Sequence, residues 1–273
     1  MDIAFVVAGF GVGLIVGLTG VGGGSLMTPI LIFFFNIKPY LAVGTDLLFA
    51  AFTKMGGTVS LARQKLIPWK VVALLCTGSL PAAALTLLYL HEIGPASRET
   101  EALMKHTLGL ALMLTAAATL YKAIKGKRRA NSTPNTSPLA APNTLPTEAP
   151  AADQPRHWAL PIALGALIGA MVTLTSVGAG AIGVTVLLIL YPRLPLPRVV
   201  GADIAYAVPL TLLAGLGHVT LGSVDWSLLA NLLMGSLPGI WLGSRLVNHT
   251  PERVVRSALS ALLAWAGTKL LLV

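Results

Sequence analysis

The chain of 273 residues is 55% hydrophobic and only 11% charged, with a mean hydropathy of +0.80. That balance excludes an ordinary soluble domain and fits an integral membrane protein. The formal net charge of +9 then reports on the ends of membrane spans and not on a nucleic-acid partner, which the reading excludes.

The N-terminal run lacks a basic region and a small-residue cleavage site, so no removable signal peptide is expected. Apolar segments 3–18 and 25–35 flank Gly20-Val21-Gly22-Gly23-Gly24. Each falls short of the roughly 20 residues a spanning helix needs, so the pair is expected to form a broken-helix hairpin. Full spans are expected over 41–61, 71–90 and 103–124. The single cysteine, Cys76, lies in the second of these and reads as a small buried hydrophobe, not a disulfide or metal residue. Segment 125–157 carries six prolines among Asn, Ser, Thr and Ala and reads as a disordered cytoplasmic linker.

The second half repeats the first. Short segments 158–174 and 181–190 flank a second glycine loop, and spans are expected over 199–216, 226–246 and 254–272. Leu18-Thr19-Gly20-Val21-Gly22-Gly23-Gly24 recurs as Leu174-Thr175-Ser176-Val177-Gly178-Ala179-Gly180, Val43-Gly44-Thr45-Asp46 as Val200-Gly201-Ala202-Asp203, and Gly78-Ser79-Leu80-Pro81 as Gly235-Ser236-Leu237-Pro238. The offset is 156 to 157 residues throughout. The predicted fold is all-α and polytopic, with membrane repeats over 1–124 and 158–273, each a broken-helix hairpin plus three transmembrane helices. A hairpin plus three crossings is odd, so the repeats enter the membrane from opposite sides, and duplicated halves with interrupted helices point to a secondary transporter.

The cations orient the chain. With the N-terminus outside, fourteen Lys and Arg side chains flank cytoplasmic span ends (63, 65, 70, 122, 125, 127, 128, 129, 156, 193, 198, 245, 253 and 256) against three outside, Lys38, Arg98 and Lys105. Lys and Arg concentrate on the cytoplasmic side, so both termini are expected in the periplasm and the linker in the cytoplasm. Trp69 and Trp226 open spans as interfacial anchors.

Gly9, Gly13 and Gly17 are spaced by four, and Gly165 and Gly169 repeat the spacing. Small residues at this period let helices approach closely in lipid, which is packing and not chemistry. The Gly-Ser-Leu-Pro motifs lie inside spans, where proline is expected to kink the helix.

The loops carry the chemistry. Neither has the strand, soluble helix and acidic residue of a dinucleotide fingerprint, nor the Gly-Lys-Ser/Thr of a phosphate loop. Irregular backbone in a membrane is tolerated where it is buried or lines a cavity, and a half-helix starting there offers free N–H groups and a positive dipole end to an anion. Candidate substrate contacts are Thr19, Gly22, Gly23, Gly24 and Ser25 in the first loop and Thr175, Ser176, Gly178, Ala179 and Gly180 in the second. Asp46 and Asp203 occupy equivalent places, as helix caps or as coupling groups. Lys54 lies two turns past Asp46 and has Thr211 as its counterpart. Its charge must be compensated by Asp46 or by the substrate, and the asymmetry favours the substrate. His218 near the end of its span reads as an interface residue or a coupling group, and the five histidines show no metal-ligand spacing.

The doubled Leu-Thr-Gly-Val-Gly-Gly-Gly element, the doubled Val-Gly-x-Asp segment and the Gly222–Trp226 run resemble the TauE/SafE family of anion exporters. The resemblance covers both halves. It implies an inner-membrane secondary carrier with no cofactor that exports sulfite or an organosulfonate such as sulfoacetate, and it implies that Gly22 to Ser25 and Gly178 to Ala181 face that anion. Proton-coupled import of a sulfur oxyanion is the alternative. A membrane-embedded enzyme ranks lower, because HExxH, GxSxG and suitably spaced paired carboxylates are missing.

Overall fold

The computed structural model describes residues 3–19, 24–130, 159–178, 180–246 and 252–272. These residues form ten helices and no strand: α1 (Ile3–Thr19), α2 (Gly24–Phe34), α3 (Pro39–Arg63), α4 (Trp69–Ile93), α5 (Arg98–Ala130), α6 (Ala159–Thr175), α7 (Ala181–Leu190), α8 (Leu196–Thr220), α9 (Trp226–Leu246) and α10 (Glu252–Leu272). Every expected segment is a helix, and α5 continues to Ala130, past the expected start of the linker at Lys125. Residues 131–158 of the linker region lie outside the described ones. Among the described residues three helices are long and apolar enough to cross a membrane, Trp69–Ile93, Arg98–Leu120 and Leu196–Thr220. In α3, buried Asp46 and Lys54 lower the apolar character. Trp69 and Trp226 are exposed at the starts of α4 and α9.

Packing crosses between the halves and is reciprocal. Helix α1 lies on α9, and α6, its counterpart, lies on α4. Glycine makes both contacts possible. A Cβ on Gly9 would stand 2.5 Å from the Leu232 carbonyl oxygen and one on Gly17 2.5 Å from that of Ile240, while Gly165 meets the Leu75 carbonyl at the same 2.5 Å. Real Cβ atoms do not approach backbone that closely, so the two chains touch main chain to main chain. The Gly-Ser-Leu-Pro motifs are the receiving surfaces: Gly13 faces Ser236, Gly169 faces Ser79, Gly235 faces Val6 and Gly78 faces Ile162. Helices α4 and α9 remain helical through Pro81 and Pro238, and the glycine and serine of each motif serve as packing surface.

The same contacts fix direction. Residue numbers rise together along α1 and α9 and along α6 and α4, so both pairs run parallel. Leu48 packs on Gly215 and Ile204 lies 3.7 Å from the position of a Cβ on Gly57, so α3 and α8 cross antiparallel. Gly109 abuts Leu271 while Gly267 abuts Met113, so α5 and α10 are antiparallel too.

Two apolar cores result. One gathers Leu75, Val172, Leu187 and Leu210 from α4, α6, α7 and α8. The other gathers Val12, Met27, Phe49 and Leu232 from α1, α2, α3 and α9, with Leu108 and Leu263 of the α5–α10 pair. Between them runs the α3–α8 crossing. Burial of polar groups is concentrated there.

Candidate functional site

Asp46 is fully buried because the start of α3 dips under α2 and the second broken helix. Thr28 of α2 donates its hydroxyl to Asp46 Oδ2 at 2.5 Å, and Ser176, just past the end of α6, lies beside the same carboxyl. The hydroxyls of Thr28 and Ser176 thus both face this one carboxyl.

Lys54 is 6% exposed and lies within electrostatic reach of Asp203 foremost and of Asp46 second. The antiparallel register explains that order. Leu48 against Gly215 and Gly57 against Ile204 put Asp203 opposite the Gly57 end of α3 and Asp46 near the Gly215 end, so the two carboxyl groups stand about 20 Å apart along the crossing at 1.5 Å per residue. Lys54 lies between them and closer to Asp203. The sequence offered Asp46 or the substrate as its compensator, whereas the leading protein partner comes from the other half.

Asp203, 2% exposed, and fully buried Tyr206 share a face of α8 and close over the first turn of α7. A Cβ on Gly183 would meet the Asp203 carboxyl and would stand 3.0 Å from Tyr206 Oη. That hydroxyl has no partner among the described residues.

The second loop is a tight reversal. Gly178 and Gly180 adopt φ of 132° and 136°, a region that glycine enters without steric penalty, and Ser176 sits at φ 57°. Their carbonyls accept the N–H groups that start α7, Gly183 onto Gly178 and Val184 onto Gly180, each at 3.0 Å. The Thr175 hydroxyl serves the turn, donating to Met171 O at 2.6 Å and accepting from Val177 N at 3.1 Å. In the first loop, Thr19 ends α1 and Gly24 and Ser25 open α2. Gly22, Gly23 and Ala179 lie outside the described residues, as do the side chains of Thr19 and Ser25.

His218 is fully buried, with Nε2 3.0 Å from the Thr173 carbonyl, the geometry of a ring N–H donor. It ties α8 to α6 and packs beside Gly44. Nearby, Thr45 Oγ1 accepts the Asp225 N–H at 3.1 Å and Asp225 Oδ1 accepts the Leu228 N–H at 3.0 Å, capping α9. In the other half the equivalent positions are held by Ala202 and Pro68. Proline has no N–H, so no hydroxyl is needed opposite it. Among the described residues, no three His, Cys, Asp or Glu side chains come together in a way that could hold a metal ion.

The model of the sulfite exporter TauE/SafE family matches residues 5–270. The chain belongs to that family. It is 36% identical over 271 residues to Probable membrane transporter protein YjnA of Bacillus subtilis (strain 168), with 99% of this chain and 100% of the relative covered. Two further proteins of that organism are similar: Probable membrane transporter protein YdhB, 29% identical over 96% of this chain and 97% of its own, and Probable membrane transporter protein YunE, 26% identical over 89% and 86%. No solved structure matches. A TauE/SafE member with these apolar helices is a multi-pass membrane transporter, and the sites on α3, α8 and the second loop lie at the crossing where its two cores meet.

Thr28 and Tyr206 were not singled out by the sequence. Thr28 carries a usable signal, because it recurs as Thr185 at the repeat offset. Tyr206 follows Asp203 by three residues, which puts the two on one helix face, but its counterpart is Phe49 and so duplication does not flag it.

Proposed function

We propose that the protein is an inner-membrane secondary carrier that exports a small oxyanion, sulfite or an organosulfonate such as sulfoacetate. The observation that carries this reading is the buried Lys54 ammonium at the α3–α8 crossing, a cation that membrane burial makes expensive and that an anionic cargo would use. Gly22 to Ser25 and Gly178 to Ala181 supply the half-helix starts that line its path, and Asp46, Asp203 and His218 are the groups available for coupling. The halves insert in opposite senses: antiparallel α3–α8 and α5–α10 pairs alongside parallel α1–α9 and α4–α6 pairs are what a two-fold axis in the membrane plane generates. The cation distribution then puts both termini in the periplasm.

Export needs no nucleotide. With the inside negative, each negative charge that leaves gains about 2.3 kcal/mol per 100 mV, and a dianion roughly twice that. The test is flux of labelled sulfite and sulfoacetate in inside-out and right-side-out vesicles. Potential-driven movement out of the cytoplasmic compartment is expected for at least one. A second reading, proton-coupled uptake, is favoured by the fully buried Asp46 carboxyl, which Thr28 and Ser176 face from α2 and the second loop. Accumulation in right-side-out vesicles that requires an acidic exterior would replace export with uptake.

A further inference from the structure

Resting on the carrier reading, whatever its cargo, we propose that Lys54 is the moving part of a two-position switch: it pairs with Asp203 in this structure and with Asp46 in the state that faces the opposite side of the membrane. The duplication supplies the two positions. Asp46 and Asp203 hold the same place in the two repeats, at an offset of 157, whereas Lys54 has only Thr211 as its counterpart. The chain therefore buries two equivalent carboxyl groups, 0% and 2% exposed, with the Lys54 ammonium, 6% exposed, between them.

The α3–α8 register sets the spacing. With Leu48 opposite Gly215 and Gly57 opposite Ile204, Asp203 stands about five residues past Lys54 along the crossing, roughly 8 Å at 1.5 Å per residue. Asp46 lies two turns before Lys54 on α3 itself, roughly 12 Å in the other direction. Both act on the ammonium, Asp203 the more strongly. A lysine carries its charge on a flexible four-carbon stem, so reversing the stem, with a small slide of α3 along α8, exchanges the partners. The carboxyl left behind is provided for. In this structure the hydroxyls of Thr28 on α2 and Ser176 in the second loop face Asp46, and such donors hold a buried carboxylate in its charged form while the cation is elsewhere. Asp203 has corresponding surroundings: its carboxyl covers Gly183 of α7, and Thr185 on that helix is the repeat counterpart of Thr28. Because the two carboxyl groups are repeat-related, the two pairings are close in energy, as a bistable element requires, and each holds α3 and α8 at a different offset.

The experiment reads the two states without any cargo. In full-length protein with Cys76 replaced by alanine, cysteines in place of exposed Leu88 of α4 and Leu272 of α10 carry spin labels. Pulsed electron resonance in lipid nanodiscs then reports the distance between a helix of one core and a helix of the other. The wild type is expected to show two distances. Asp203→Asn leaves Lys54 only Asp46 and should move the population ratio about tenfold or more toward the second, the scale of one hydrogen bond to a charged group. Asp46→Asn should move it by a similar factor the other way, and in Lys54→Met both effects should vanish. Asp46→Glu, which extends that carboxyl toward Lys54, should act like Asp203→Asn and carries the test where an Asn variant does not fold. A single distance in the wild type, shifts in the same direction from the two Asn variants, or shifts that persist in Lys54→Met each overturn the switch. None of these outcomes bears on the oxyanion reading, which stands or falls on labelled flux.

Discussion

The Lys54–Asp203 relation can be tested as a double-mutant cycle. Lys54→Met leaves Asp203, 2% exposed, without the cation that faces it, and Asp203→Asn leaves Lys54, 6% exposed, with only the more distant Asp46. Removing one member of a buried pair costs about 3–5 kcal/mol because the survivor stays buried and uncompensated. For a chain of this size each kcal/mol moves the unfolding midpoint by about 2–4 °C, so either single change should lower it by on the order of 10 °C. The double change Lys54→Met/Asp203→Asn strands nothing and should recover most of that loss. The assay is thermal unfolding in detergent without substrate, which separates framework stability from any role of Lys54 in anion binding. Additive losses in the double variant would refute the pairing. Recovery by Asp46→Asn in place of Asp203→Asn would show that the pair lies within α3, contrary to the register of α3 on α8.

Gly13→Leu and Gly169→Leu drive a side chain into the backbone at Ser236 and Ser79 and should abolish recovery of monodisperse protein by size-exclusion chromatography, whereas Gly56→Leu, which meets nothing within 4 Å, should not. Thr45→Ala leaves the Asp225 N–H without its 3.1 Å acceptor and should cost about 1–3 kcal/mol, read as a shift in thermal unfolding. Gly23→Val or Ala179→Leu should stop flux of labelled anion while leaving membrane insertion intact, as detected by quantitative blotting of membranes. With Cys76 replaced, a cysteine at Ser132 should be shielded from an impermeant external reagent and one at Val273 labelled, and the reverse pattern would remove the proposed orientation.

The helices were legible because each apolar run is punctuated chemically. Pro39 opens α3, Trp69 and Trp226 open α4 and α9, and the residues before α7 are glycine-rich. The expected bounds of α7 and α9 coincide with those observed. What the sequence could not supply is which helix meets which. The α1 and α6 glycine stripes announced close partners, but a stripe does not name its mate, and the mates are the Gly-Ser-Leu-Pro segments of the opposite halves. Lys54 illustrates the same limit. Spacing along one helix nominates Asp46 at two turns, because that separation is computable from the chain alone. Asp203 becomes the nearer partner only once α3 and α8 cross antiparallel, a contact at which Gly215 admits Leu48.

Duplication also explains why chemistry and scaffold can be told apart within one chain. Glycines that keep their identity at the repeat offset, such as Gly78 with Gly235 and Gly44 with Gly201, sit in reciprocal surroundings: Gly44 abuts the backbone at Ser223 as Gly201 abuts that at Leu66. These residues answer to the packing of two similar units. Positions that break the repeat fall into two kinds. Thr45 with Asp225 and Ala202 with Pro68 differ jointly, and each pair is satisfied by itself, one with a hydroxyl for an N–H and the other with neither. Lys54, Tyr206 and His218 differ alone, facing Thr211, Phe49 and Leu61 across the repeat. A joint change preserves the local hydrogen-bond balance and needs no further cause. A solitary one buries a charge, a phenol or an imidazole that the other half does not carry, and here Lys54 faces Asp203 across the crossing while His218 ties α8 to α6. Burying such groups in a membrane is expensive, and all three lie on α3 and α8, the two helices that cross between the cores.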